Sequence, residues 1–232
     1  MNELTILAGP PNSLSGVVAY RNTTATSVTI AEVTIDDDDS SVSLVVPVAE
    51  TTVAAGQRHD IVVGLQLPPQ TPPGAYPLEI TIADEKFSAV AHVAAAHEPG
   101  LSPAAIVVGN VPGATVTTSL VIANAGNVDV CIAEFGSVAL FREDVARTTL
   151  VRLATSRLLD DVDVDPLPDA AETIDVMPSG GRQVVTPGAT RVVELAITLP
   201  EGLSQAVRWL AAVPISTRSL LITVVPAGSP AD

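Results

Sequence analysis

The chain repeats itself. Residues 22–35, NTTATSVTIAEVTI, lie without a gap on residues 124–137, NAGNVDVCIAEFGS, with matches at Asn22/Asn124, Val28/Val130, Ile30/Ile132, Ala31/Ala133 and Glu32/Glu134. A second block follows in the same order, where Gly56-x10-Leu67-Pro68 answers Gly188-x10-Leu199-Pro200. Two blocks in one order imply a single supersecondary plan used twice. At 232 residues the chain has room for two such copies, each able to bury its own core. The stretch AAAHEPGLSP, residues 94–103, combines small residues with Pro99, Gly100 and Pro103 just before the second copy begins. The expected domains are therefore residues 1–97 and 98–232.

Hydrophobic residues make up 47% of the chain but aromatics only 3%, so the cores must be built from Val, Ala, Leu and Ile, which favours strands. Short alternating runs broken by Gly, Pro, Asn and Asp recur throughout, the pattern of an all-β sandwich. The first half reads as strands near 3–8, 14–22, 27–35, 42–48, 58–67, 76–83 and 87–95. The second reads as strands near 104–109, 115–123, 128–135, 137–142, 183–186, 190–199, 207–215 and 219–225. Between the repeated anchors the first copy spans 56 − 22 = 34 positions and the second 188 − 124 = 64. About 30 extra residues thus enter the second domain as an acidic insert around 142–181, with a short helix allowed by Val145, Leu150, Leu153 and Leu158. The fold class expected is all-β: two tandem immunoglobulin-like β-sandwich domains, the second carrying an insertion of roughly 30 residues.

Charge narrows the partners. Eleven basic against 26 acidic residues give a formal charge of −15, and Lys86 is the sole lysine. Such a chain repels phosphate backbones and anionic lipid surfaces, so no nucleic acid partner is expected. No membrane insertion is expected either, because no run of about 18 uncharged apolar residues occurs. The start, MNELTILAGPPNS, has no basic region followed by an apolar one, so as written the chain is expected in the cytoplasm, or outside the cell or on its surface if a leader was removed. The lone Cys131 has no internal disulfide partner and is expected as a buried thiol inside a strand.

The repeated residues are chosen for turns. Asn124, Gly126 and Asn127 suit a tight antiparallel hairpin, with Val128, Val130 and Ile132 sharing a face beyond it; Asn22 to Ala25 occupy the same place in the first copy. The second block pairs a turn glycine with an alternating strand that a Leu-Pro dipeptide stops. In the first copy Pro72-Pro73-Gly74-Ala75-Tyr76 follows, and Trp209 holds a place like that of Tyr76, so both aromatics are expected against the sandwich, with a ligand platform as the alternative.

Together these motifs, N-x-G-N-x-x-V, then P-G-x(9–11)-L-P, then P-P-G-x-Y-x-L-x-I, resemble the bacterial and archaeal immunoglobulin-like modules of the NEW3, CARDB and invasin-like kind. They are similar, more loosely, to PapD-like and major-sperm-protein domains. The resemblance covers most of residues 3–95 and 103–226 without the insert. It implies spacers, adhesion or interaction domains, or structural parts of larger assemblies. A donor-strand chaperone of the PapD kind is a further alternative, although no matching Arg–Lys anchor is found in the sequence.

Other candidate sites are few. Asp36 to Asp39 are consecutive carboxylates that point to different sides and read as a solvated turn. Asp161, Asp163, Asp165 and Glu172 have the spacing of a calcium loop, but Pro166 and Pro168 obstruct its turn, so an acidic exposed loop is expected and calcium is an alternative. No other cofactor is implied. His59, His92 and His97 lack metal-ligand spacing, and no nucleophile elbow, phosphate loop, dinucleotide fingerprint or paired-cysteine motif occurs, so no enzyme is expected. The expected function is a non-catalytic structural or protein-interaction component of a larger assembly, partnered by another protein or by itself. Contacts are expected through sandwich edges, Tyr76, Trp209 and the insert with Arg142, Asp160 and Asp161. An exported adhesion or carbohydrate- or protein-binding module is the alternative.

Overall fold

The structure is a computed structural model that describes residues 4–37, 43–132, 136–143 and 172–226. Its described elements are seventeen strands, in two compact units: residues 1–96 with 126–128, and residues 97–125 with 129–232. The described residues are all-β, in two tandem β-sandwich units.

The first unit runs β1 (Thr5–Gly9), β2 (Leu14–Arg21), β3 (Val28–Asp37), β4 (Ser43–Val53), β5 (Arg58–Leu65), β6 (Gly74–Ile82) and β7 (Glu85–Val93). Their order in space is β4-β3-β6-β7-β1-β2-β5. β1 is the joint: it pairs parallel with β7 over all five residues and antiparallel with β2 at Ala8 and Ser15. The two halves, β4-β3-β6-β7 and β2-β5, face each other over a core of Leu7, Val18, Tyr20, Ile35, Ile61, Val63, Ile80 and Phe87. Period-two alternation puts those residues inward, as in β5, where Ile61, Val63 and Leu65 are buried and Asp60, Val62 and Gly64 are not. Gly16 is needed where β1 crosses β2, since a Cβ there would lie 2.2 Å from the Ile6 carbonyl oxygen.

The second unit runs β8 (Pro99–Ser102), β9 (Ala105–Gly109), β10 (Thr115–Asn124), β11 (Val130–Ile132), β12 (Gly136–Arg142), β13 (Glu172–Pro178), β14 (Gln183–Val185), β15 (Thr190–Thr198), β16 (Trp209–Ile215) and β17 (Arg218–Val225). Its main sheet has the order β8-β10-β15-β13-β12-β16-β17-β9, and β11 pairs with β14. Here the work of β1 is divided, with β8 antiparallel to β10 and β9 parallel to β17. The core includes Leu120, Ile122, Val130, Ile132, Leu140, Val193, Leu195 and Trp209.

The strand pairing corrects four expectations. First, the Asn-containing links are not hairpins. β2 and β3 do not pair, nor do β10 and β11, so each link is an arch from one half of the sandwich to the other. Second, the Pro- and Gly-rich stretch 94–103 contains β8, because proline is tolerated at the first residue of an edge strand. Third, pairing resumes at Glu172, opposite Leu140, so 172–178 is a strand and not part of the insert. In the first copy the corresponding pairing runs to Asp36 opposite Ser43. Fourth, Cys131 is exposed, since its neighbours Val130 and Ile132 take the inward positions of a strand with one face on the core. The helix expected within 145–158 lies outside the described residues.

The repeated residues meet in space at one corner of each unit. Asn22 is fully buried; its backbone N–H donates to Gln57 O at 2.9 Å, and Gly56 N–H donates back to Asn22 O at 2.8 Å. Its side-chain amide donates to Val53 O at 2.8 Å and Thr26 O at 2.7 Å, while Oδ1 accepts from Thr24 N–H at 2.9 Å. In the second unit Asn124 repeats the set: Asn124 N–H to Ala189 O at 2.9 Å, Gly188 N–H to Asn124 O at 2.8 Å, and the side-chain amide to Val185 O at 2.9 Å. Gly56 and Gly188 both have φ of +75°, which only glycine adopts without strain. Two arches that cross between sheets cannot bond to a neighbouring strand, so the asparagine supplies the donors that a ladder would have given.

Candidate interaction surface

The sandwich faces follow from the same alternation. On β2 and β5 the residues that face away from the core are paired in register as Val17–Val62, Ala19–Asp60 and Arg21–Arg58. Continuing the β1–β2 register from Ala8–Ser15 sets Ile6 opposite Val17. Ile6, Val17 and Val62 thus form a row across three strands, and each keeps more than half of its surface exposed, at 53%, 52% and 65%. The row borders an open hollow of about 740 Å³ whose lining includes Leu4, Ile6, Val17, Arg21, Arg58 and Asp60.

Two guanidinium groups directly opposite each other repel, an arrangement that destabilises a sheet unless an anion neutralises it. Among the described residues neither Arg21 nor Arg58 has an ion-pair partner. Lys86, by contrast, is paired with Glu79 across β6 and β7, and that hydrogen bond, with the carboxylate's charge, raises its pKa. Burial, and after it the Glu85 carboxylate, likewise raises the pKa of Tyr20, which faces the core.

The second unit carries neither the apolar row nor the arginine pair at the equivalent positions, although the valine pair Val121–Val192, with Val192 63% exposed, lies two residues along the same face. Aligning Asn22 with Asn124 and Gly56 with Gly188 maps Val17 and Val62 onto Ser119 and Glu194, which pair in register. Arg21 and Arg58 map onto Ala123 and Thr190, and the intervening Ala19 and Asp60 onto Val121 and Val192.

The edges differ as well. β15, the counterpart of β5, is covered along Leu195–Thr198 by the antiparallel strand segment Asp175–Pro178. β5 pairs with β2 alone, so among the described residues its other edge carries no strand. The opposite edge of the first unit, β4, is protected in two ways. Its register against β3 slips between Ile30 and Glu32, where β4 advances from Thr51 back to Pro47, and Pro47 has no N–H to offer an added strand. Lysine scarcity therefore does not leave β4 unguarded, because proline and a bulge replace the usual charge.

The residues singled out from sequence fare differently. Trp209 and Tyr76 do hold equivalent places: each lies seven positions before the first residue of its hairpin's two-residue turn, at Ala83-Asp84 and Ser216-Thr217. Trp209 is buried and its indole N–H donates to Ser204 O at 3.1 Å, so it is a core residue with no face to present to a partner. Tyr76 is half-buried against the core, and its hydroxyl donates to Pro72 O at 2.8 Å. Arg142 ends β12, paired with Trp209, and Glu172 begins β13. Asp160, Asp161, Asp163 and Asp165 lie outside the described residues. Among the described residues no group of three or more His, Cys, Asp or Glu side chains is placed to hold a metal ion. Sequence reasoning missed the row of Ile6, Val17 and Val62, because exposure of these residues depends on register between strands distant in sequence.

No protein-family model matches the chain, and no curated protein matches it. Among solved structures it is similar to the two-domain DIP-gamma IG1+IG2, 10% identical over 98% of this chain and 96% of that one, with a TM-score of 0.36. It is also similar to the CupB2 chaperone of Pseudomonas aeruginosa, 14% identical over 96% of each chain, with a TM-score of 0.25. A protein of unknown function from Porphyromonas gingivalis W83 is 11% identical over 96% of each chain, with a TM-score of 0.25.

Proposed function

We propose that this chain is a non-catalytic protein-interaction component of a larger assembly, and that it makes its contacts through sandwich edges and exposed sheet faces. The observation that carries this reading is the first unit's open β5 edge beside an apolar row, where the second unit has Ser119 and Glu194 in place of Val17 and Val62 and a covered edge just beyond them, at the counterparts of Val63–Gln66. A fold that tolerates Ser119 and Glu194 has no structural need of Val17 and Val62 in the same places, which leaves the exposed row free to serve a partner. The modules that the sequence motifs resemble serve such roles. The strongly acidic composition suits a partner with basic surface elsewhere on the molecule.

Affinity capture of the tagged chain from its native cells, with mass spectrometry of the eluate, tests the reading. A partner at a fixed stoichiometric ratio is expected. A clean eluate containing this chain alone, both at low salt and after cross-linking, would refute it.

A further inference from the structure

Resting on that reading, we infer that the β5 edge of the first unit takes up an extended segment of another protein by antiparallel strand addition, and that this segment carries an acidic side chain opposite Arg58. The second unit supplies the template. There the C-terminal part of the equivalent edge, Leu195–Thr198, already holds an antiparallel strand, Asp175–Pro178, so this end of the edge accepts one, while Thr190–Val193, the counterparts of Arg58–Ile61, pair with β10 alone. Subtracting the repeat offset of 188 − 56 = 132, the covered stretch corresponds to Val63–Gln66 in the first unit. Neither that stretch nor the adjoining Arg58–Val62, along which the incoming segment would extend, has a second partner strand among the described residues.

The size of the patch selects the occupant. Three half-exposed aliphatic side chains present a surface on the order of 300 Å². A stable globular interface needs roughly 800 Å² from each partner. The row is thus too small to hold a second copy of the chain by itself, yet it suits one extended strand, whose affinity comes mainly from backbone hydrogen bonds to an open edge.

Side-chain alternation then fixes the chemistry of that strand. In an antiparallel pair the residue opposite Val62 points to the same face as Val62 and extends the Ile6–Val17–Val62 row, so it is apolar. The residue four positions further toward the segment's C-terminus stands opposite Arg58. A carboxylate there relieves the repulsion between Arg21 and Arg58 with a charge-assisted contact. The residue between them stands opposite Asp60 and must not be acidic. The occupant is therefore an extended segment with an apolar residue followed, four positions later, by Asp or Glu.

A randomised peptide library displayed on phage and selected against the purified full chain tests this. The enriched sequences are expected to share the apolar-to-acidic spacing. A selected peptide, synthesised with a fluorescent label, should lose at least about tenfold in affinity for Val62→Lys and for Arg58→Glu. The matched change in the other unit, Glu194→Lys, should leave its binding unchanged. Circular dichroism melting establishes that each variant is folded. No enrichment, enrichment without an acidic position, or binding that survives both substitutions would each overturn the inference. So would sedimentation that shows the chain dimerising through β5, because a second copy would then be the occupant. Capture of a stoichiometric partner whose binding is indifferent to Val62→Lys would leave the interaction role standing while removing this site from it.

Discussion

Replacing Asn22 by alanine is expected to lower the stability of the first unit by about 2–4 kcal/mol. The substitution removes the amide that donates to Val53 O and Thr26 O, and Val53 is buried where water has little access. A buried carbonyl left without a donor costs about 1–3 kcal/mol, and the lost Oδ1 contact to Thr24 N–H adds to it. For a unit of this size the thermal midpoint should fall by about 10–20 °C. Asn22→Asp should be at least as damaging at neutral pH, since it exchanges a donor for a carboxylate aimed at two carbonyl oxygens. Asn124→Ala should act in the same way on the second unit through Val185 O, and the two losses should be additive because they fall in separate cores. Urea denaturation followed by circular dichroism measures each. A loss below about 1 kcal/mol at either position would mean that the arch is held by its backbone bonds alone.

The second large effect is expected at Trp209, where truncation to alanine should destabilise the second unit by about 3–5 kcal/mol. Its ring is buried within that unit's core, so the variant leaves a cavity, while Ser204 O, which also accepts from the Asn110 amide, keeps a donor. Trp209→Tyr should cost less, because the equivalent position of the first unit holds Tyr76. A tryptophan serving as a surface platform would cost under about 1 kcal/mol on removal, so thermal melts of the alanine variant separate a core role from a platform role.

The strand pattern of this protein is legible from residue order because most strands alternate in burial and are bounded by Gly, Pro, Asn or Asp. β5 illustrates this, with Ile61, Val63 and Leu65 inward and their neighbours outward. The repeat also identifies the residues that matter most for the corner, since Asn22 and Gly56 recur as Asn124 and Gly188. Their role is not legible in the same way. An Asn beside small residues reads as a hairpin turn on local chemistry, and only the pairing of β2 with β5 and of β3 with β4 makes it an arch. β8 escapes notice because Pro99 and Gly100 signal a linker, although a proline at the start of an edge strand costs no ladder bond. The burial of Cys131 is misjudged for a related reason: apolar residues on both sides of a cysteine fix two inward positions, and alternation then sends the thiol outward. The interaction surface is the least legible feature. Val17 and Val62 lie 62 − 17 = 45 positions apart and become one patch only through the register of β2 on β5.

β5 is open where β15 is covered, and native-state amide hydrogen exchange of the dilute, isolated chain tests that difference most directly. Every second N–H of a strand points to one edge, so the outward amides of β5 should exchange rapidly while the amides of β15 from Leu195 to Thr198, paired with β13, stay protected. Uniform protection along β5, equal to that of β15, would show that the edge is already occupied and would contradict the account.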